Sequence, residues 1–235
     1  MVALEPKVQR PAVVAIAAAL LGAAALLAIS LLTGQHREMG VERYFLYQAL
    51  TLPIAWAVVL VVWVAKRRKL ELLRIGNPSA NASPVPLLGI GGSDNWRRVG
   101  LTFAGMITVA TGVFLVISYQ NQIISVPMRT WLIALLLAAP LSVVNAFTEE
   151  IVTRWSVAEG FSGAAARFAP WVSAAIFGSV HYFGIPGGPL GALMAAFLGW
   201  LLTKSIQDTK GIGWAWAIHV AQDLLIFTVS IASLL

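Results

Sequence analysis

Long apolar runs separated by short polar stretches organise the whole chain. A bilayer core needs about 20 apolar residues per helix, and on that scale seven candidate segments emerge. They run from Pro11 to Leu32, Tyr44 to Ala65, Val99 to Tyr119, Trp131 into the glutamates at 149 and 150, Phe168 to Phe183, Leu190 to Thr203, and Gly213 to Leu234. The fifth and sixth are short, and Gly184–Pro189 between them predicts a tight turn. A spanning hairpin is the simpler expectation there; a short or re-entrant piece would make the count eight helices. The first segment exceeds the length of a signal-peptide core, so it is expected as a retained helix. The predicted fold is all-α: a polytopic transmembrane helical bundle forming one integral membrane domain over residues 1–235. Residues 1–129 supply generic N-terminal helices, and residues 130–235 carry the chemistry.

Composition agrees. Hydrophobic residues make up 59% of the chain and charged residues 11%, with mean hydropathy +0.82. Soluble domains carry about 25% charged residues, so this chain lacks the surface to stay in water. A net charge of +6 could suggest nucleic acid, but the basic residues sit between the apolar runs, the pattern of membrane orientation. With the N-terminus in the cytoplasm, thirteen Lys and Arg fall inside, from Lys7 to Lys210, and only Arg37, Arg43 and Arg129 fall outside. The C-terminus is then outside. The longest loop, Lys66 to Arg98, begins Lys-Arg-Arg-Lys and predicts a cytoplasmic connector lying against anionic lipid headgroups. The absence of cysteine excludes disulfides, thiolate metal sites and a cysteine nucleophile.

The informative residues are those an apolar helix should not contain. A carboxylate at mid-bilayer costs about 2.5–3.5 kcal/mol on insertion scales, yet Glu149 and Glu150 follow an apolar run. Glu150 and Arg154 stand at i and i+4 and can pair; Glu149 points about 100° away and stays free. If the helix continues to Glu159, the glutamates lie roughly 15 Å from its end. His181 follows Phe177 by one turn on the fifth segment. His219 precedes Asp223 by one turn on the seventh. His36, in an outside loop, is expected to be solvated.

A carboxylate and imidazoles meeting in an apolar cavity suit the activation of water: Glu takes a proton and returns it to a leaving amine, while imidazole orients water or stabilises an oxyanion. Two His and a Glu (His181, His219 and Glu149) are also a zinc set with water in the fourth position. No HExxH motif supports that version, and no Gly-x-Ser-x-Gly elbow supports serine catalysis.

The order Glu149-Glu150-x-x-x-Arg154, Phe177-x-x-x-His181, His219-x-x-x-Asp223 resembles the motif set of the CPBP family, the CAAX-protease and bacteriocin-processing intramembrane proteases. The resemblance covers about residues 130–230. It implies an intramembrane endopeptidase acting on peptide or lipidated protein substrates, with Glu149 as general base and His181 holding the water. His219 and Asp223 would stabilise the oxyanion or position the carbonyl, and Glu150 and Arg154 would fix their helix. The family more often has Asn where this chain has Asp223. An ionised Asp cannot donate to an oxyanion, so it would act protonated, hold His219 or bind metal. Other classes stay open: a proton- or ion-coupled transporter, against which stands the lack of inverted repeats, and a non-catalytic scaffold or immunity protein. Trp131, Trp155, Trp171, Trp200 and Trp214 are expected as interfacial anchors, Trp214 and Trp216 as candidates to line a substrate groove, and Gly187 and Gly191 as points of close helix contact.

Overall fold

The computed structural model describes residues 10–184 and 187–235. Lys7 of the orientation argument, and Ile185 and Pro186 of the expected turn, lie outside them. Seven helices organise the rest: α1 (Arg10–Gln35), α2 (Glu42–Ala65), α3 (Trp96–Ile123), α4 (Met128–Gly160), α5 (Ala169–His181), α6 (Gly188–Thr209) and α7 (Gly213–Ala232). All but α5 are long and apolar enough to cross a membrane. The 13 residues of α5 reach only about 20 Å at 1.5 Å per residue. A 3₁₀ turn, Gly163–Phe168, leads into α5 and is tied to α6 where Gln207 Nε2 donates to the Ala166 carbonyl at 2.7 Å. Pro189, expected in the turn, belongs to the first turn of α6, where its missing N–H breaks no helical hydrogen bond.

The helices pack as neighbours in pairs, α1 with α2, α4 with α7, and α5 with α6. Small residues decide how closely. Along α1, Ala12, Ala15, Ala19, Gly22, Ala23 and Leu26 form one buried stripe at helical spacing. A Cβ on Gly22 would come within 2.8 Å of the Val152 side chain, so α1 lies directly against the end of α4. In the α5–α6 pair the close approaches are Gly178, 2.8 Å from the Ala192 carbonyl, and Gly199, 3.1 Å from that of Ser173, measured from the position a Cβ would take. Gly187 lies instead in the turn before α6, and Gly191 lines a cavity described below. The outward faces carry Leu21, Val64, Val109 and Leu136, all well exposed, as lipid-facing helices require.

The fourth helix runs through the glutamates to Gly160, as the absence of an earlier stop signal predicts. Glu149 is eleven residues from that end, about 16 Å. Directly after Glu150 the helix widens into a π turn, Ile151–Trp155, a local defect that favours functional sites. Because the helix continues, Trp155 is not the interfacial anchor expected of it: it is fully buried in the core with Ala15 and Ala19 of α1.

The 66–98 connector folds over one end of the bundle. The buried carboxylate of Glu159 accepts from the backbone N–H of Glu71 at 3.0 Å and of Leu72 at 2.7 Å, with Lys66 Nζ 3.4 Å away. Arg74 Nε donates to the Lys210 carbonyl at 2.7 Å, and Asp208 accepts from Ser83 and from Trp96 Nε1. The connector therefore bonds to the end of α4, the end of α6 and the turn after α6, all at one end of the bundle. At the other end, between α1 and α2, His36 Nδ1 meets Glu38 at 2.9 Å and both are exposed. A hydrogen bond from its own backbone, then His36, holds the Glu38 carboxyl below its ordinary range.

Glu159→Ala strands two backbone donors, at a cost of about 1–3 kcal/mol for each one left buried and unpaired. The expected outcome is a lower unfolding midpoint in detergent and faster tryptic cleavage between Lys66 and Lys69. Glu159→Gln, which keeps an acceptor oxygen, falls between the two.

Candidate active site

The three sequence pairs converge on one buried centre. Glu150 and Arg154 form an ion pair at 2.5 Å with both side chains fully enclosed. The guanidinium lies over the Phe177 ring, 3.7 Å from its centroid, a geometry that attracts a cation to the ring's negative face. The same ring packs against His181 at 4.0 Å and meets the edge of His219 at 5.8 Å between centroids. Phe177 is thus the ring that one charge and two imidazoles pack against, which gives the phenylalanine of the second motif a physical reason.

Each imidazole is oriented through Nδ1. For His181 the partner at 2.9 Å is the Phe177 carbonyl, which can only accept, so Nδ1 carries the proton. For His219 the partner at 2.8 Å is Glu150 Oε1. Arg154 also stands 3.5 Å from that nitrogen, but an Nδ1 that donates to a carboxylate cannot also accept from a guanidinium; the shorter carboxylate contact is the hydrogen bond. Both Nε2 atoms then face Glu149. Its Oε2 lies 3.5 Å from His219 and 3.9 Å from His181 and has no hydrogen-bond partner among the described residues. Those gaps are too long for direct hydrogen bonds and suit groups that share a bridging atom. Asp223 Oδ1 is 3.6 Å from His219 Nε2.

Sequence reasoning passed over Asn145, one turn before Glu149. Its Nδ2 reaches Glu149 Oε1 at 3.2 Å and Asp223 Oδ2 at 3.0 Å, and its Oδ1 accepts from Gln48 Nε2 of α2 at 3.1 Å. A single amide in an apolar run gave no signal beyond its i−4 spacing from the glutamate. Trp214 and Trp216 stand apart from the centre. Trp214 donates to the Pro78 carbonyl and packs on Gly100 of α3, and Trp216 donates to the Val143 carbonyl.

Two cavities meet at His181 and Phe177. One of about 360 Å³ lies among α3, α5, α6 and α7; its wall is mostly apolar, with Phe103, Met106, Met194 and Phe197, and it reaches His181, His219 and Asp223. A smaller one of about 90 Å³ opens between α1, α2, α4 and α5, where Ser30, Tyr47, Thr153 and Glu149 give it a more polar wall. The N-terminal helices therefore supply walls of the site. For zinc, the donors expected were Glu149, His181 and His219. As they stand, no three or more His, Asp or Glu among the described residues are grouped to hold a metal ion.

Fold and site together define a polytopic membrane protein with a Glu, His, His and Asp centre, His219 and Asp223 buried and Glu149 and His181 partly exposed. Residues 128–225, under half of the chain, match the model of the Rce1-like family, type II CAAX prenyl endopeptidase Rce1-like. That is the CAAX-protease family which the three motifs resemble, and the matched stretch contains all of them. The match supports an intramembrane endopeptidase in general terms. No curated protein and no solved structure matched the chain.

Breaking a buried ion pair by removing one partner costs about 3–5 kcal/mol. Arg154→Met is therefore expected to lower the unfolding midpoint in detergent sharply, because Glu150 stays behind as an unpaired charge. Glu150→Gln combined with Arg154→Met recovers much of that loss; an equal loss in the double variant would contradict the pairing.

Proposed function

We propose that the protein hydrolyses a peptide bond in a membrane-associated, lipid-carrying peptide, with water activated by Glu149. The observation that carries this reading is the unpartnered Glu149 Oε2 facing the Nε2 atoms of both imidazoles where a polar and an apolar cavity meet.

A water bridging Glu149 Oε2 and His181 Nε2 gives up a proton to the carboxylate as its oxygen attacks the scissile carbonyl. His219, as imidazolium with Glu150 on Nδ1 and Asp223 beside Nε2, donates to the oxyanion. Asp223 then serves as counter-charge to His219 instead of as an oxyanion donor, which answers to its carboxylate chemistry. The proton on Glu149 passes to the amide nitrogen, the C–N bond breaks, and a carboxylate and an amine leave. Enclosure strengthens each of these interactions by excluding bulk water. The apolar cavity among α3, α6 and α7 takes the lipid chain, consistent with a family named for prenyl endopeptidases. The excess of basic residues around the connector supports a cytoplasmic position for that end of the bundle.

The test is cleavage of a fluorogenic peptide library, lipidated and unlipidated, by detergent-purified protein. Glu149→Gln and His181→Ala are each expected to lower kcat by about 10²–10⁴, the range of general acid–base catalysis. Lipidated peptides are preferred, and a zinc chelator leaves the rate unchanged. Equal cleavage by the variants would remove the assignment, and loss with chelator would return the two histidines and Glu149 to a metal.

A further inference from the structure

The Asn145 amide touches both carboxylates of the site and a third helix besides. The side chain is buried, 6% exposed. Its two N–H groups are committed to Glu149 Oε1 and Asp223 Oδ2, and its carbonyl accepts from Gln48. The orientation is not reversible: turned over, the carbonyl oxygen would face two carboxylate oxygens with no donor between them. The relay therefore runs one way, from Gln48 on α2 through Asn145 on α4 to Asp223 on α7, with Glu149 on a branch.

That placement decides which oxygen of Glu149 is free. Oε1 is held by the amide, so Oε2 is the one presented to His181 and His219. Asp223 is divided in the same way: Oδ2 is anchored by Asn145 and Oδ1 stands beside His219 Nε2. Without the amide, two carboxylates in an apolar enclosure lose the donor they share, and nothing else described holds Glu149 by its side chain.

We infer that Asn145 is a positioning residue for the reaction, aiming the Glu149 carboxylate at the water and fixing Asp223 against His219. The inference rests on the peptidase reading above. Because Asn145 touches neither the water position nor the apolar cavity, it acts on the rate of the chemical step and not on substrate binding.

The experiment measures kcat and KM separately, with the unfolding midpoint, for wild type, Asn145→Leu, Asn145→Asp, Asn145→Ser and Gln48→Leu. Asn145→Leu and Asn145→Asp are expected to lose about 100-fold or more in kcat with KM within about threefold, the pattern of an interaction that matters only in the transition state. Asn145→Ser, which keeps one donor, retains part of the rate. Gln48→Leu, which removes only the far end of the relay, loses less than either. Unchanged kcat in Asn145→Leu and Asn145→Asp, or a loss in all three Asn145 variants fully accounted for by unfolded protein, overturns the inference. Failure of the peptidase reading shows separately, as absence of cleavage by folded wild type, and removes this inference with it.

Discussion

Arg154 is a full positive charge with no exposure to solvent, and it sits in a helix surrounded by alkyl side chains. Such a charge persists only where its surroundings replace water. Here Glu150 supplies the opposite charge from one turn away, and the Phe177 ring covers one face of the guanidinium. Those two contacts reach further than the pair itself. Glu150 accepts a hydrogen bond from Nδ1 of His219, and Phe177 backs both imidazoles. The ion pair on α4 is therefore the fixed point from which α5 and α7 are registered. A buried pair is weak evidence of stability by itself; its use here is to hold two histidines in one orientation.

The i to i+4 spacings were legible in the sequence because ionisable residues are rare in apolar helices and each has to be accounted for. Glu150 with Arg154, Phe177 with His181 and His219 with Asp223 all stand as side-chain neighbours. The continuation of α4 past the glutamates was legible too, from the lack of a stop before Gly160. Other features carried no signal. The π turn at Ile151–Trp155 has no signature in its residue types, and with it went the burial of Trp155, which a place near a predicted helix end assigned to an interface. Asn145 and Gln48 are uncharged amides of a kind that commonly bridges helices, so nothing singled them out before their partners were known. Glu159 read as a marker of helix length, whereas its carboxylate holds the backbone of a connector more than eighty residues away in sequence.

The division between a generic N-terminal part and a chemical C-terminal part looks different in three dimensions. The family match covers residues 128–225, yet α1 presses a small-residue stripe onto the end of α4, α2 contributes Gln48 and Tyr47, and α3 closes one wall of the apolar cavity. The residues that would do the chemistry lie in the matched stretch, while α1, α2 and α3 supply further walls of the enclosure around them.

In the proposed mechanism Glu149 acts on water and does not itself attack the substrate. Single-turnover cleavage of a lipidated peptide in H₂¹⁸O, read by mass spectrometry of both products and protein, tests it most directly. Direct attack by water puts one ¹⁸O in the new peptide carboxylate in the first turnover and none in the protein. Label found in Glu149 with an unlabelled first product, or no cleavage by the folded wild type, would contradict it.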